Sequence, residues 1–206
     1  MPGQATHGST PYAGSSAVDS YLGVHAALAE LQARRNAHPE PLLRDLPVPY
    51  PISIGRLRAG EWSSSVPDRL VAEGRYGLRV DEDPHRGRED LAAASQTAAD
   101  ADPYLRDHRP VLRWTGGQFR GGALPAGHAL RDQVVAAHTE VTGGPRPVER
   151  GAPYGSDLRL YAAVGIPTLH HGPGDVRLAH GPDESVELVE VQTAARVLGT
   201  LLLRAV

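Results

Sequence analysis

The chain has 206 residues, 40% of them hydrophobic, with 21 cationic against 24 acidic side chains and a net charge of -3. That suits one large or two small domains with a buried core, and it excludes a broad basic face for nucleic acid or a polybasic membrane arm. With no cysteine, disulfides and thiolate metal sites are excluded, so any metal must be held by His, Asp or Glu.

Ser15 or Ser16 can cap a first helix. Its apolar positions Ala17, Tyr21, Val24, Leu28 and Leu31 keep helical spacing as far as the charged, proline-rich stretch from Arg34 to Pro51. Strands are expected at PISIGRLRAG, through Ile52 and Ile54, and at RLVAEGRYGLRV, where Leu70, Ala72, Tyr76 and Leu78 share parity. Residues 86–101 read as a weaker helix, and PVLRW, residues 110–114, as a further strand. From about residue 125 the pattern becomes a helix (HALRDQVVAAHTEV), a helix (SDLRLYAAV), a short buried strand (IPTLHH) and a terminal helix. In that helix Val191, Ala194, Ala195, Leu198, Leu201 and Leu202 form an apolar stripe that must be covered. The first half thus runs helix, strand, strand, helix, strand. One strand before His7 would complete the ferredoxin-like α+β split, two helices on an antiparallel sheet, its first strand truncated here. An incomplete α/β segment follows. The N-terminal MPGQATHGST lacks the charged and apolar regions of a secretory leader, and no run reaches the roughly 20 apolar residues of a membrane span. A cytoplasmic location is expected.

GQATHGSTPYAGSSA, GEWSSSVPDRLVAEGR and YGSDLRLYAAVGIPTLHHGPGDVRLAHGPDESVEL, in that order and at those intervals, resemble the di-zinc metallopeptidase and deacylase superfamily. Its members include acetylornithine deacetylases, succinyl-diaminopimelate desuccinylases, aminoacylases and glutamate carboxypeptidases. The resemblance implies a lid, or dimerisation, domain over residues 1–120 and the C-terminal segment of a catalytic domain over 121–206. It also implies a cofactor of two zinc ions in the complete enzyme, a homodimer formed through the lid, and an N-acyl amino acid or small peptide as substrate, with no nucleic-acid or membrane partner. The family's His-x-Asp motif and adjacent Glu pair have no counterpart: no His here is followed two residues later by Asp, and no two Glu are adjacent. Of the family's metal ligands only the last has a match, His180. A catalytic zinc usually needs three protein ligands, so the full site is not expected in this chain.

The same resemblance assigns His7 to oxyanion stabilisation in the partner subunit's active site; the plain alternative is an exposed loop histidine. Gly155, Ser156 and Asp157 match a loop that closes over substrate, although Asp157 can equally cap the following helix. Gly172, Pro173 and Gly174 match a turn whose N–H groups can face a substrate carboxylate, or form an ordinary tight turn. Arg75 and Arg159 can pair with a carboxylate or serve as structural arginines. Many relatives carry an arginine two residues beyond Arg75, where this chain has Gly77. His170 and His171 can support the rim of the site or be structural, and Glu184 complements a helix N-terminus. Ser9, Ser64, Ser65 and Ser156 are possible nucleophiles, but none lies in a Gly-x-Ser-x-Gly elbow.

Two functional readings follow. The chain is the C-terminal portion of a zinc-dependent amidohydrolase, inactive by itself, or it is a non-catalytic dimerisation module derived from that family.

Overall fold

The protein's structure, a computed structural model, describes residues 1–205. The chain divides into two compact units, one of Met1–Gly121 with Gly151–Tyr154, the other of Gly122–Arg150 with Gly155–Val206. Among the described residues no helix is long and apolar enough to cross a membrane.

In the first unit α1, Ala17–Asn36, starts where the Ser16 hydroxyl accepts the Asp19 N–H at 3.2 Å, which satisfies one of the orphan donors of a helix start. Strands β1, Ile52–Ala59, and β2, Leu70–Tyr76, pair antiparallel from Ile52↔Tyr76 to Ala59↔Leu70, with an irregularity between Ile54 and Arg56. Helix α2, Pro84–Ala101, begins on an Asp83 cap with proline in its first turn and packs beside α1. Ala17, Tyr21 and Val24 of α1, Leu70 of β2, Ala99 of α2 and Leu105 form the core.

A charged group ties the end of β2 to both helices. The Arg35 guanidinium of α1 forms a bidentate pair with Glu82 at 2.9 and 2.6 Å and donates to the Gly77 carbonyl at 2.9 Å. It also covers the Tyr76 ring at 4.5 Å and lies 3.5 Å from Asp90 of α2. Burial pushes the Glu82 carboxyl up, but the hydrogen bonds from Arg35 and from the Arg79 N–H outweigh it, leaving the group below the ordinary glutamate range.

The expected strand at 110–114 does not form. Those residues carry no ladder, and Val111 is 71% exposed. In the split layout the last strand pairs with the first. Residues 110–114 have no such partner among the described residues: beside β2, Met1–Gly3 make only isolated contacts, the Met1 carbonyl accepting from the Leu70 N–H at 3.0 Å and the Gly3 N–H donating to the Asp68 carbonyl at 2.7 Å. The sheet therefore has two strands rather than a full ferredoxin-like set.

In the second unit α3, Ala129–Thr142, packs on α5, Leu188–Ala205, burying Val134 and Ala137 against Ala194 and Val197. A short helix, α4, spans Leu158–Ala163. The expected strand at IPTLHH is absent and Ile166 is 49% exposed: a buried strand needs neighbouring strands to satisfy its backbone, and among the described residues the second unit contains none. The apolar stripe of α5 splits accordingly. Ala194 and Val197 face α3, whereas Val191, Ala195, Leu198 and Leu202 stay exposed.

Candidate functional site

The segment before α1 and the loop between β1 and β2 place His7. Residues 6–8 run antiparallel to 64–66: Gly8 N–H donates to the Ser64 carbonyl at 2.6 Å, Val66 N–H to the Thr6 carbonyl at 2.9 Å, and His7 bridges Ser65. Glycine at position 8 permits this approach, since a Cβ there would lie 2.9 Å from the Ser64 oxygen. The exposed His7 ring has Nδ1 at 2.7 Å from the Ser9 hydroxyl and 3.2 Å from the Ser9 N–H. Trp62, 65% exposed, meets it edge to face at a centroid distance of 6.5 Å.

Arg75, on β2, donates through Nη2 to the Pro153 carbonyl at 2.8 Å, so part of its guanidinium is engaged in holding residues 151–154 rather than waiting for a substrate. At Gly77, where the resemblance would place an arginine, a Cβ would stand 3.0 Å from Pro51 and from the Tyr50 carbonyl carbon, so a side chain there needs those neighbours to move.

In the second unit α4 is capped differently from expectation. Asp157 makes no side-chain cap bond; the Ser156 hydroxyl accepts the Leu158 N–H at 3.3 Å, while the Asp157 carboxylate takes Arg159 at 3.4 Å. The Gly172–Gly174 turn does present an amide to a carboxylate, but it is the chain's own: Gly174, at φ +89°, donates its N–H to Glu190 of α5 at 2.8 Å.

His180 is exposed and, at φ 63°, is the single non-glycine residue in the left-handed region among those described. Its N–H donates to the Glu184 carboxylate at 3.0 Å, so Glu184 holds this loop rather than the start of α5. Left-handed backbone costs a residue with a Cβ about 1–2 kcal/mol, and such strain gathers at functional positions. His180→Gly should therefore be more stable than His180→Ala by about 1 kcal/mol in urea unfolding; equal stabilities would remove the strain. Among the described residues no three His, Asp or Glu side chains converge as a metal site requires.

Sequence spacing gave no sign of one contact. His138 of α3 and His171 stand 3.2 Å apart, Nδ1 to Nε2, with rings at 71°, and the buried His171 Nδ1 has no hydrogen-bond partner. Burial first, then the neighbouring His138, hold the His171 pKa below the ordinary histidine value. The neutral ring is thus the form that the fold favours. Its contribution is present above about pH 6.5 and is lost as pH falls through the depressed folded value. Thermal unfolding between pH 8 and 5 should show stability falling with acidification, with a smaller slope in His171→Phe; an unchanged slope would contradict this.

The model of peptidase family M20/M25/M40 matches residues 8–204. A probable carboxypeptidase of Aspergillus niger is 26% identical over 205 residues, covering 99% of this chain and 44% of that protein. The N-acetyl-L-citrulline deacetylase of Xanthomonas campestris pv. campestris is 33% identical over 142 residues, 68% of this chain and 35% of the relative. The crystal structure of aminopeptidase PepT from Bacillus cereus superposes with a TM-score of 0.63 at 19% identity, covering 97% of this chain and 48% of that one, which shows a shared fold. The chain thus spans less than half the length of these relatives. With the match covering residues 8–204, the chain belongs to peptidase family M20/M25/M40.

Proposed function

We propose that the chain is the lid and C-terminal portion of a zinc-dependent amidohydrolase that cleaves N-acyl amino acids or small peptides, working as a homodimer through the lid. The observation that carries this reading is His180: an exposed imidazole kept in a strained left-handed backbone, at the position matching the family's last metal ligand. A further support is the exposed apolar face of α5, with Val191, Leu198 and Leu202 uncovered, the kind of face that packs on a sheet.

One imidazole is not a zinc site, which needs about three protein ligands, so the present residues do not by themselves fit the metal and no catalytic step is assigned to it. Zinc, held by His180 together with ligands from outside these residues, would supply a Lewis acid. The chain's own residues bind and orient. His7, reaching the partner subunit's site, donates a hydrogen bond to the amide carbonyl oxygen as charge develops on it. The Gly174 N–H, once released by Glu190, offers a carboxylate-binding amide.

The test is to express the chain together with whatever the reading frame encodes immediately upstream, and to assay it with zinc or cobalt against a panel of N-acyl amino acids. Hydrolysis abolished by His180→Ala is the expected result. Hydrolysis indifferent to His180→Ala overturns the reading, and no hydrolysis by any form favours the non-catalytic dimerisation module.

A further inference from the structure

We propose that Ser9 is a positioning residue: it clamps Nδ1 of His7, so that the ring faces its surroundings as an Nε2–H donor. The inference rests on the reading of His7 as a carbonyl-polarising group and narrows what that group can do.

A neutral imidazole carries its proton on one nitrogen and a lone pair on the other. A backbone N–H can only donate, and that of Ser9 points at His7 Nδ1 from 3.2 Å. The Ser9 hydroxyl lies 2.7 Å from the same nitrogen and can rotate its proton toward it. Two donors at Nδ1 leave that atom as the acceptor, and the ring proton then resides on Nε2. Without such donors the neutral ring exchanges its proton between both nitrogens and turns about its side-chain bonds.

The frame beneath the clamp is fixed from both sides. The His7 carbonyl accepts the Thr10 N–H at 2.8 Å and the Thr10 hydroxyl at 3.2 Å. Gly8 is held to the Ser64 carbonyl at 2.6 Å, and Trp62 stands against the ring at 6.5 Å. The contact closes within two residues, as local Ser side-chain turns do, so it needs no distant element to form. What remains free for a ligand is Nε2–H.

The chemical consequence is a choice between roles. An Nε2 donor suits an oxygen that bears or gains negative charge, such as an amide carbonyl passing to its tetrahedral oxyanion. It does not suit abstraction of a proton from water, which requires a lone pair at the exposed nitrogen. Ser9 thereby sets His7 as an electrophilic group and not a base.

Two measurements test this. In the full 206-residue chain labelled with 15N-histidine, a long-range proton–nitrogen correlation reads the tautomer of each ring, and His7→Gln identifies the His7 signals. Nδ1 is expected in the range of an unprotonated, pyridine-like nitrogen and Nε2 in the protonated, pyrrole-like range. Ser9→Ala removes the hydroxyl donor but keeps the backbone N–H, so it should move both part of the way toward the averaged values of a freely exchanging imidazole, and Ser9→Thr should keep them apart. A protonated Nδ1, averaged values in the unsubstituted chain, or no response to Ser9→Ala would each overturn the clamp.

In the active enzyme, Ser9→Ala should lower kcat about tenfold with KM nearly unchanged, and Ser9→Thr should restore it; full kcat in Ser9→Ala overturns the catalytic consequence. The NMR measurement needs no turnover. A fixed Nε2–H tautomer, in an enzyme whose hydrolysis ignores His7→Ala, would therefore support the clamp while refuting the catalytic reading of His7.

Discussion

Glu82→Ala should destabilise the first unit by about 3–5 kcal/mol, the range for removing one partner of a buried ion pair, read as a lower urea midpoint. The side chains of Arg35 and Glu82 are only 7% and 10% exposed, so the variant leaves a guanidinium in the interior with Asp90 at 3.5 Å as its remaining carboxylate. It also removes the acceptor of the Arg79 N–H, at 2.8 Å. Arg35→Met, which removes the charge but keeps bulk, leaves a carboxylate that can take up a proton, so its loss should be smaller. The pH dependence has a definite sign. The folded-state pKa of Glu82 lies below its ordinary value, so the pair's contribution is complete above the ordinary glutamate range, about pH 4.3, and fades as pH falls through the depressed value. Glu82→Ala should flatten that acid limb. A midpoint unchanged by the substitution would mean that the pair only decorates the helices.

His7→Ala should reduce kcat of the active enzyme by about 10²–10³-fold, the usual effect of removing one oxyanion donor, with KM changed far less. Exposure makes the prediction selective: an exposed side chain whose bonds are local to Ser9 contributes little to packing, so the unfolding midpoint should stay within about 0.5 kcal/mol of the parent. If His7 acts in the partner's site, mixing His7→Ala chains with His180→Ala chains should recover part of the activity, because one hybrid site contains both intact residues. Loss of stability matching the loss of activity would mark His7 as structural, and failure of mixing to restore any activity would place it in its own subunit's site.

What could be read from the sequence was what is local. The Ser16 cap and the 3.6-residue spacing of α1 depend on residues a turn apart, and they appear as expected, as do β1 and β2, whose alternation and intervening loop specify a hairpin. Residues 110–114 and 166–171 have strand-like composition, yet a strand exists only with a partner, and composition does not reveal whether one is present. Of the two readings open for Asp157, it stands at the helix N-cap without a side-chain cap bond: its carboxylate pairs with Arg159, and the Ser156 hydroxyl takes the Leu158 N–H instead.

The candidate residues were chosen through the three motifs, and their physical states could not be read there. Nothing in RLAHGPDES announces that His180 adopts a glycine-like backbone, since the neighbouring Gly181 would have been the ordinary occupant. His138 and His171 are separated by 33 positions, and only the folding of the second unit brings them together. The Gly174 amide was recognisable as a carboxylate donor, whereas its engagement by Glu190, sixteen residues away, depends on the path of the loop before α5.

The most direct measurement is the zinc content of the purified 206-residue chain after exhaustive dialysis, by elemental analysis, beside that of its His180→Ala variant. With His180 as one ligand of an otherwise external set, clearly less than one tightly bound zinc per chain is expected. Two zinc ions per chain, retained through dialysis, would contradict the account.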